Sequence, residues 1–287
     1  MLVSIVIVNY NTFALTCDCI RSVVANTKGV DYEIVLVDNA SAECDARLFK
    51  EAFPQIKVVA CTENGGFARG NNAGIEVTVG EVILLLNSDT LLEEDAISKA
   101  AQHLLANPKT GALTLRLRYP DGRVQHYARR YKSLKFEMLD LARPLLYLIP
   151  YRRRASLMLN QYYKGDFDVR CDWVGGAFMM LPRAAINALP AARLDERFFM
   201  YGEDQLWCMQ LEEKGWEVRC FSGAEVIHLE GGSNKGAAGR KWRGALLRRE
   251  LELYRLRWGR GPGYWGFALV FTLKRAVAFA LLKMLGK

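Results

Sequence analysis

The chain has 287 residues, long enough for one large α/β domain with a sizeable core or for two small ones. Hydrophobic residues make up 51%, which excludes a disordered protein, and a formal charge of +8 points to an anionic partner: a nucleotide, a nucleic acid or an acidic membrane face. Seven cysteines occur without a C-x-x-C pair, so neither a zinc ribbon nor a thioredoxin-like site is indicated, and several lie in apolar runs like buried thiols of a reducing compartment. Met1 leads straight into an apolar run with no basic start or cleavage site, so no signal peptide is expected. No uncharged stretch reaches the ~18–20 residues of a membrane span.

Val3 to Val8 is a β-branched run, hence a first buried strand, and it ends in Asn9-Tyr10-Asn11-Thr12. A helix to about Asn26 follows, with Asn11 or Thr12 as its N-cap. Glu33 to Val37 gives a second strand ending in Asp38-Asn39-Ala40-Ser41, then a helix that Pro54 stops. Ile56 to Ala60 is a third strand, and the Asn64–Gly74 stretch opens a helix to about Val79. Val82 to Asn87 is the fourth strand, and Glu93 to Ala106 is a helix closed by Asn107-Pro108. The alternation predicts a mostly parallel, doubly wound sheet of Rossmann-like α/β class.

The fourth strand changes character abruptly, from Leu84-Leu85-Leu86 to Asn87-Ser88-Asp89-Thr90. In open α/β sheets ligands sit beyond the carboxyl ends of strands, and a carboxylate there can hold a divalent metal and through it a diphosphate. By itself this run is equally a turn in which Ser88 or Thr90 caps the next helix. Four polar clusters predicted at one edge, at Asn9–Asn11, Asp38–Asn39, Asn64 and Asn87–Asp89, have the form of a nucleotide pocket.

The second half is less regular. Ala112–Arg118 and Arg123–Tyr127 form an expected hairpin across Tyr119-Pro120-Asp121-Gly122. Arg129 to Arg154 is basic and apolar, Asp172 to Met180 is a buried strand begun by Gly175-Gly176, and a helix from about Gln205 to Lys214 closes at Gly215. Trp216–Phe221 and Val226–His228 are further strands. Residues 1–238 are taken as one domain and 239–287 as a basic and apolar helical tail. The tail is too interrupted to span a bilayer and too apolar for a solvated end, which suits the interface of an anionic membrane. Packing on its own domain or on a second copy is the alternative.

The Asn64–Gly74 stretch and the Asn87–Thr90 strand end, with Val8-Asn9-Tyr10-Asn11, Val37-Asp38-Asn39-Ala40-Ser41, Trp173-Val174-Gly175-Gly176-Ala177 and Tyr201-Gly202-Glu203-Asp204, resemble the family-two inverting glycosyltransferases of the GT-A fold, in particular bacterial rhamnosyltransferase-type members. The resemblance covers about Leu2 to Ser233.

It implies roles that can be set against plain chemistry. The family's metal-binding D-x-D stands here as Asn87-Ser88-Asp89, which leaves Asp89 as the anionic ligand for Mg²⁺ or Mn²⁺ and Asn87 to meet the ribose. Asn9, Tyr10, Asn11 and Asp38 would line the nucleoside, and Asn64 and Arg69 the base or diphosphate. Gly65, Gly66 and Gly70 make at minimum a helix-entry turn; they are not a dinucleotide fingerprint. Asp204 is the candidate general base that deprotonates an acceptor hydroxyl, and Glu203 beside it a candidate acceptor contact; at a helix start both also suit the dipole. His228 is either a metal or diphosphate contact or a satisfied structural histidine, and His103 and His126 are structural. Trp173, Gly175 and Gly176 would shape the acceptor and donor-sugar pocket, with core packing the alternative for Trp173.

The resemblance thus implies a metal-dependent inverting glycosyltransferase on the cytoplasmic face of the inner membrane. Its donor would be a nucleotide sugar (dTDP- or UDP-linked, L-rhamnose the first expectation). Its acceptor would be a glycan or a polyprenyl-diphosphate-linked glycan of a cell-surface polysaccharide, with no nucleic acid as partner. Two rivals stand beside it. A nucleotidyltransferase would carry a Gly-rich loop with a basic residue after the first strand, where this chain has Asn9-Tyr10-Asn11-Thr12. A nucleic-acid binder would use the basic tail, against which the interleaved apolar segments argue.

Overall fold

The computed structural model describes residues 1–230 and 239–284, with side chains over 1–230 and 246–277. It begins as four parallel strands with helical crossovers: β1 (Leu2–Asn9), α1 (Phe13–Asn26), β2 (Asp31–Asp38), α2 (Arg47–Ala52), β3 (Lys57–Ala60), α3 (Gly66–Glu76) and β4 (Val82–Asn87). Val3, Ile5, Val6, Ile7 and Ile83 to Leu85 are fully buried, as apolar runs covered on both faces require. Next come β5 (Thr90–Leu91), α4 (Ala96–Ala106), β6 (Thr110–Arg118), β7 (Ala128–Arg129), α5 (Leu134–Leu141), α6 (Arg143–Leu146) and α7 (Tyr151–Met158). The chain continues through β8 (Val169–Cys171), β9 (Trp173–Val174), β10 (Phe178–Pro182), α8 (Arg183–Asn187), α9 (Glu203–Glu213), β11 (Glu217–His228), α10 (Gly239–Trp258) and α11 (Pro262–Met284).

Among the described residues the main sheet has nine strands in the order β3-β2-β1-β4-β10-β6-β11-β5, with β8 on β11. The expected parallel arrangement holds for β3-β2-β1-β4 and again for β6 with β11. It fails at β10, which runs against both β4 and β6. The parallel register aligns Asn9 with Asp38 and Val8 with Asn87, so the polar ends of the strands fall on one edge.

Four local expectations need correction. The run Asp172–Met180 is two strands, because the chain breaks at Gly175-Gly176: β9 pairs with β7, and β10 enters the main sheet beside β4. The hairpin turn forms, with Gly122 at φ +83° and its N–H on the Tyr119 carbonyl at 2.9 Å, but the return arm makes only one bridge, Arg118 to Val124. The two strands expected at 216–221 and 226–228 are one, β11, with an irregularity between Phe221 and Glu225. Neither Ser88 nor Thr90 caps the helix after β4; Asp95 does, accepting from the Ser98 N–H at 3.3 Å.

The chain divides into two compact units, 1–129 with 159–236 and 130–158 with 237–287. The basic stretch after Arg129, expected within the first domain, therefore groups with the tail. The reason is a core of its own, built on Tyr254, Phe267 and Phe271 with Leu134, Leu247, Leu251 and Tyr264 packed on it. Lys274 of α11 reaches Glu137 at 2.6 Å and also Asp140 on α5, and Lys132 reaches Glu250 of α10 at 2.6 Å.

In the first unit α3 lies close on the sheet, since a Cβ at Gly74 would come within 2.4 Å of Val6 Cγ1. The helix is tied to the segment before α9 by Asn72. Its Nδ2 donates to the Leu194 carbonyl and the Glu196 carboxylate, both at 2.8 Å, and its Oδ1 accepts from the Leu194 N–H at 3.0 Å. Asn72 is buried, so Asn72→Ala strands a backbone donor and acceptor away from water. It is expected to lower the unfolding free energy by about 3 kcal/mol in urea denaturation.

Candidate functional site

The sheet edge is assembled from buried amides. Asn9 has no exposed surface; its Nδ2 donates to Asp38 Oδ1 at 2.8 Å and Ser41 Oγ at 3.0 Å. Its Oδ1 accepts from the hydroxyls of Thr12 at 3.0 Å and Thr16 at 2.8 Å. The side chain is thus spent on holding Asp38 and the start of α1, and expected nucleoside contact is left to its neighbours. Asp38 is buried and accepts also from the Ser41 N–H at 3.2 Å. Tyr10 is exposed. Asn11, at φ +53°, accepts from the Ala42 and Glu43 N–H groups at 2.8 and 3.2 Å.

The next link is Asn39, which no sequence signal singled out beyond its place after Asp38. Its Nδ2 donates to Asn64 Oδ1 at 2.9 Å and the Gly66 carbonyl at 3.2 Å, and its Oδ1 accepts from the Gly65 N–H at 3.2 Å. Asn64 Oδ1 also takes the Gly66 N–H at 3.0 Å. Gly66, at φ +83°, lies where a Cβ would meet the Phe199 carbonyl oxygen at 2.2 Å, and the Phe67 N–H donates to that oxygen at 3.0 Å. Cβ atoms at Gly65 and Gly70 would likewise strike Arg69 and Val8, so this glycine run serves close packing. Arg69 pairs with Glu63 at 2.5 Å.

At the end of β4, the Asn87 N–H donates to the Ala177 carbonyl at 3.0 Å, which brings Gly175-Gly176 alongside. Ser88 Oγ meets Thr12 Oγ1 at 3.2 Å and so joins this strand end to the Asn9 cluster. The half-buried His228 ring places Nε2 3.3 Å from Asp89 Oδ1 and 3.4 Å from Asn87 Nδ2. Gln125 sets the tautomer: its Nε2 donates to the His228 carbonyl at 2.7 Å, which turns its Oε1 to His228 Nδ1 at 2.8 Å. An amide oxygen only accepts, so Nδ1 carries a proton and the ring is held with Nε2 turned to the Asp89 carboxylate. One imidazole nitrogen and one carboxylate oxygen suit Mg²⁺ or Mn²⁺ that takes its remaining ligands from phosphate and water. Among the described residues there is no group of three or more His, Cys, Asp or Glu that could hold a metal.

The last link is α9. Tyr201 at φ +65° and Gly202 at φ +102° turn the chain into the helix. Asp204 Oδ1 accepts the Gln205 N–H at 2.8 Å, and Asp204 Oδ2 lies 3.9 Å from where a Gly175 Cβ would be. Asp204 is half-buried and Glu203 buried. A Cβ at Gly176 would meet Phe67 at 2.7 Å, and Phe67 stacks on the fully buried Trp207 of α9 at 6.1 Å. Trp173 is buried with the Arg129 guanidinium 4.9 Å from its ring. Of the other histidines, His103 stacks on Phe221 at 4.2 Å, and burial holds its pKa down. The Gly231-Gly232-Ser233 run after His228 lies outside the described residues.

Short steps therefore connect Asp38, Asn64, Phe199, Asp204, Gly175, Asn87, Asp89 and His228 around one sheet edge. Phe199 and Gln125 were not anticipated, because a backbone carbonyl and a tautomer-setting amide leave no residue-type signature. Loss of the amide in Gln125→Leu frees the ring to take either tautomer. Mn²⁺ affinity in the presence of a nucleoside diphosphate, read by electron paramagnetic resonance, is expected to fall about ten-fold, and unchanged affinity would deny Gln125 this part.

Comparison with known proteins finds relatives and structures of the same fold. An N-acetylglucosaminyl-diphospho-decaprenol L-rhamnosyltransferase of Mycobacterium tuberculosis (strain ATCC 25618 / H37Rv) is 25% identical over 260 residues, 85% of this chain and 80% of that protein. An uncharacterised protein of Sinorhizobium fredii is 25% identical over 268 residues, 90% of this chain, which spans only 27% of that protein's length. Two solved structures share the fold. One is a mannosyltransferase from Pyrobaculum calidifontis in complex with GDP-Man and Mn²⁺, with TM-score 0.62 and 16% identity over 99% of this chain and 76% of that one. The other is S. aureus TarS in complex with UDP, with TM-score 0.55 and 15% identity over 89% of this chain and 66% of that one. These neighbours are glycosyltransferases of the GT-A fold. The family description "Glycosyl transferase family 2" matches residues 4–167, which take in Asn9, Asp38, Asn64 and Asp89 and stop short of Asp204 and His228. The chain belongs to glycosyl transferase family 2 and is a glycosyltransferase.

Proposed function

We propose that the chain transfers a sugar from a nucleotide donor to a hydroxyl of a glycan or polyprenyl-diphosphate-linked glycan, with inversion at the anomeric carbon. The observation that carries the reading is the linkage of Asp204 at the start of α9, through Gly175 and Ala177, to the Asn87–Asp89 strand end and His228. A base is supplied on one side of a reacting centre and an anion-neutralising site on the other.

Asp204 takes the acceptor proton. Attack by a hydroxyl needs a carboxylate within hydrogen-bond reach; Asp204 accepts the Gln205 N–H on Oδ1 and has Oδ2 beside Gly175, on the acceptor side. Glu203, Trp173, Gly175 and Gly176 shape the acceptor side, where a glycine at 175 leaves Asp204 uncovered. Asp89 and His228 would hold Mg²⁺ or Mn²⁺, which when bound would supply positive charge beside the departing diphosphate. Tyr10, Asn11 and Asp38 face the nucleoside with Asn9 behind them, Asn87 meets the ribose, and Asn64 and Arg69 face the base or diphosphate. Arg69 must leave Glu63 to do so.

L-rhamnose is the first choice of sugar, supported by the Mycobacterium tuberculosis relative, whose name also gives a lipid-linked acceptor. dTDP or UDP is the expected carrier. We place the enzyme at the cytoplasmic face of a membrane, where such acceptors are exposed.

A screen of nucleotide sugars with Mn²⁺ or Mg²⁺, reading released nucleoside diphosphate, tests the reading; pyrophosphate as product would overturn it. Asp204→Asn is expected to lower kcat about 1000-fold with donor KM near that of the parent. Transfer at the parent rate would remove Asp204 from the role of base. Asp89→Ala is expected to raise donor KM about ten-fold at fixed Mn²⁺, a loss that excess metal partly restores.

A further inference from the structure

The positive charge of the chain is confined to one unit. By sequence, residues 130–158 and 237–287 hold 19 Lys and Arg against 4 Asp and Glu, a formal +15. The remaining residues hold 20 against 27, a formal −7. The nucleotide site thus lies in a net anionic unit, and the excess cation has some other use.

The same unit carries an unusual share of exposed apolar surface. Of the 21 large hydrophobic side chains exposed among the described residues, 12 belong to it, although it is the smaller unit. On α11, Trp265, Leu269, Leu273 and Val277 recur every four residues and are each between 55% and 65% exposed. They form a stripe about 18 Å long at 1.5 Å per residue. Phe267, Phe271 and Lys274 of the same helix are engaged with Tyr254, Glu137 and Asp140, so the stripe is the surface this packing leaves over. A second patch runs from α5 past α6: Met138, Leu141, Leu145, Tyr147 and Leu148, the last 81% exposed. Arg143, Arg152, Arg153 and Arg275 are exposed alongside these patches.

We infer that the unit formed by residues 130–158 and 237–287 is a docking module for an anionic bilayer surface, inserting Leu269 and Leu273 of α11 and Leu145 and Leu148 beside α6 among the headgroups. Among the described residues no helix is long and apolar enough to cross a membrane, so the module lies on the surface. Each basic residue near an anionic leaflet contributes about 1 kcal/mol, and the apolar side chains gain by leaving water. A second copy of the chain is a poor occupant, because it would set one +15 unit against another. A nucleic acid matches the charge but not the aliphatic leucines, which neither stack on bases nor bond phosphates. The inference deepens the reading above by siting the enzyme where a lipid-linked acceptor would be, and its test needs neither donor nor acceptor, so the two fail separately.

The full chain is floated with vesicles of phosphatidylcholine alone or with 30 parts in 100 of phosphatidylglycerol (about that ratio suffices for an anionic surface). Binding is expected to be at least about ten-fold stronger to the anionic vesicles and to weaken as salt is raised. The exposed pairs Leu269→Glu with Leu273→Glu, and Leu145→Glu with Leu148→Glu, are each expected to lower it about ten-fold with the melting temperature kept. Leu105→Glu, an exposed leucine of the first unit, is expected to leave it unchanged. Equal binding to neutral vesicles, no binding to either, or binding indifferent to both pairs overturns the inference. So does a dimer in light scattering that both pairs dissolve, or an RNA that the chain binds in place of the vesicles.

Discussion

The polar edge of the sheet rests on one buried amide. Asn9 sits at the last position of β1 with its side chain closed off from water, and all of its hydrogen-bonding capacity on Nδ2 and Oδ1 is used within the protein. A buried amide left half-satisfied is costly, so the four groups it engages are held as a set. Through them Asp38 at the end of β2, the loop at Ser41 and the first turn of α1 share one anchor. Thr12 passes that anchor on to Ser88 at the end of β4.

Charge explains why the rest of the edge is built as it is. Asp38, Asp89, Glu203 and Asp204 all belong to a unit of net negative charge, in which Arg69 pairs with Glu63 and Arg129 lies over Trp173. A diphosphate would not be drawn to such a surface by its general field. On the proposed reading capture is local, through the arrangement in which the Gln125 amide fixes one His228 ring nitrogen so that the other faces the Asp89 carboxylate. The formal +8 of the whole chain suggested a nucleotide among other anions, but the unit that holds the candidate site contributes nothing to that excess.

Much of the first half was legible in the amino acids, because buried parallel strands are written as unbroken apolar runs and their ends as sudden polarity. The crossover helices followed from their caps and stops. The second half was legible only in pieces. Nothing in Asp172–Met180 distinguishes one strand from two, since both β9 and β10 are buried; the break at Gly175-Gly176 is dictated by Phe67 and by pairing with β7 and β4, all remote in sequence. The basic stretch after Arg129 looked like an insertion into the first domain. Its partners, Glu250, Phe267 and Lys274, lie more than a hundred residues on. Among the candidate site residues, Asp38, Asn64, Asp89, Asp204 and His228 were marked by the family resemblance of the runs that hold them, whereas Asn39, Gln125 and Phe199 act through backbone or amide contacts that only the folded chain makes.

The segment from Leu194 to Phe199 is fastened to α3 at both ends, by Asn72 at one and by the Phe67 N–H against a close-packed Gly66 at the other. On the proposed reading, redesigning the helix entrance to accept a different nucleobase would tug on the segment that leads into α9 and Asp204, and a change meant for recognition would surface as lost turnover. Tyr10 stands free of that coupling, on an exposed tip whose backbone is pinned from beneath. On the proposed reading it is the place where donor preference can be altered while the base stays where it is.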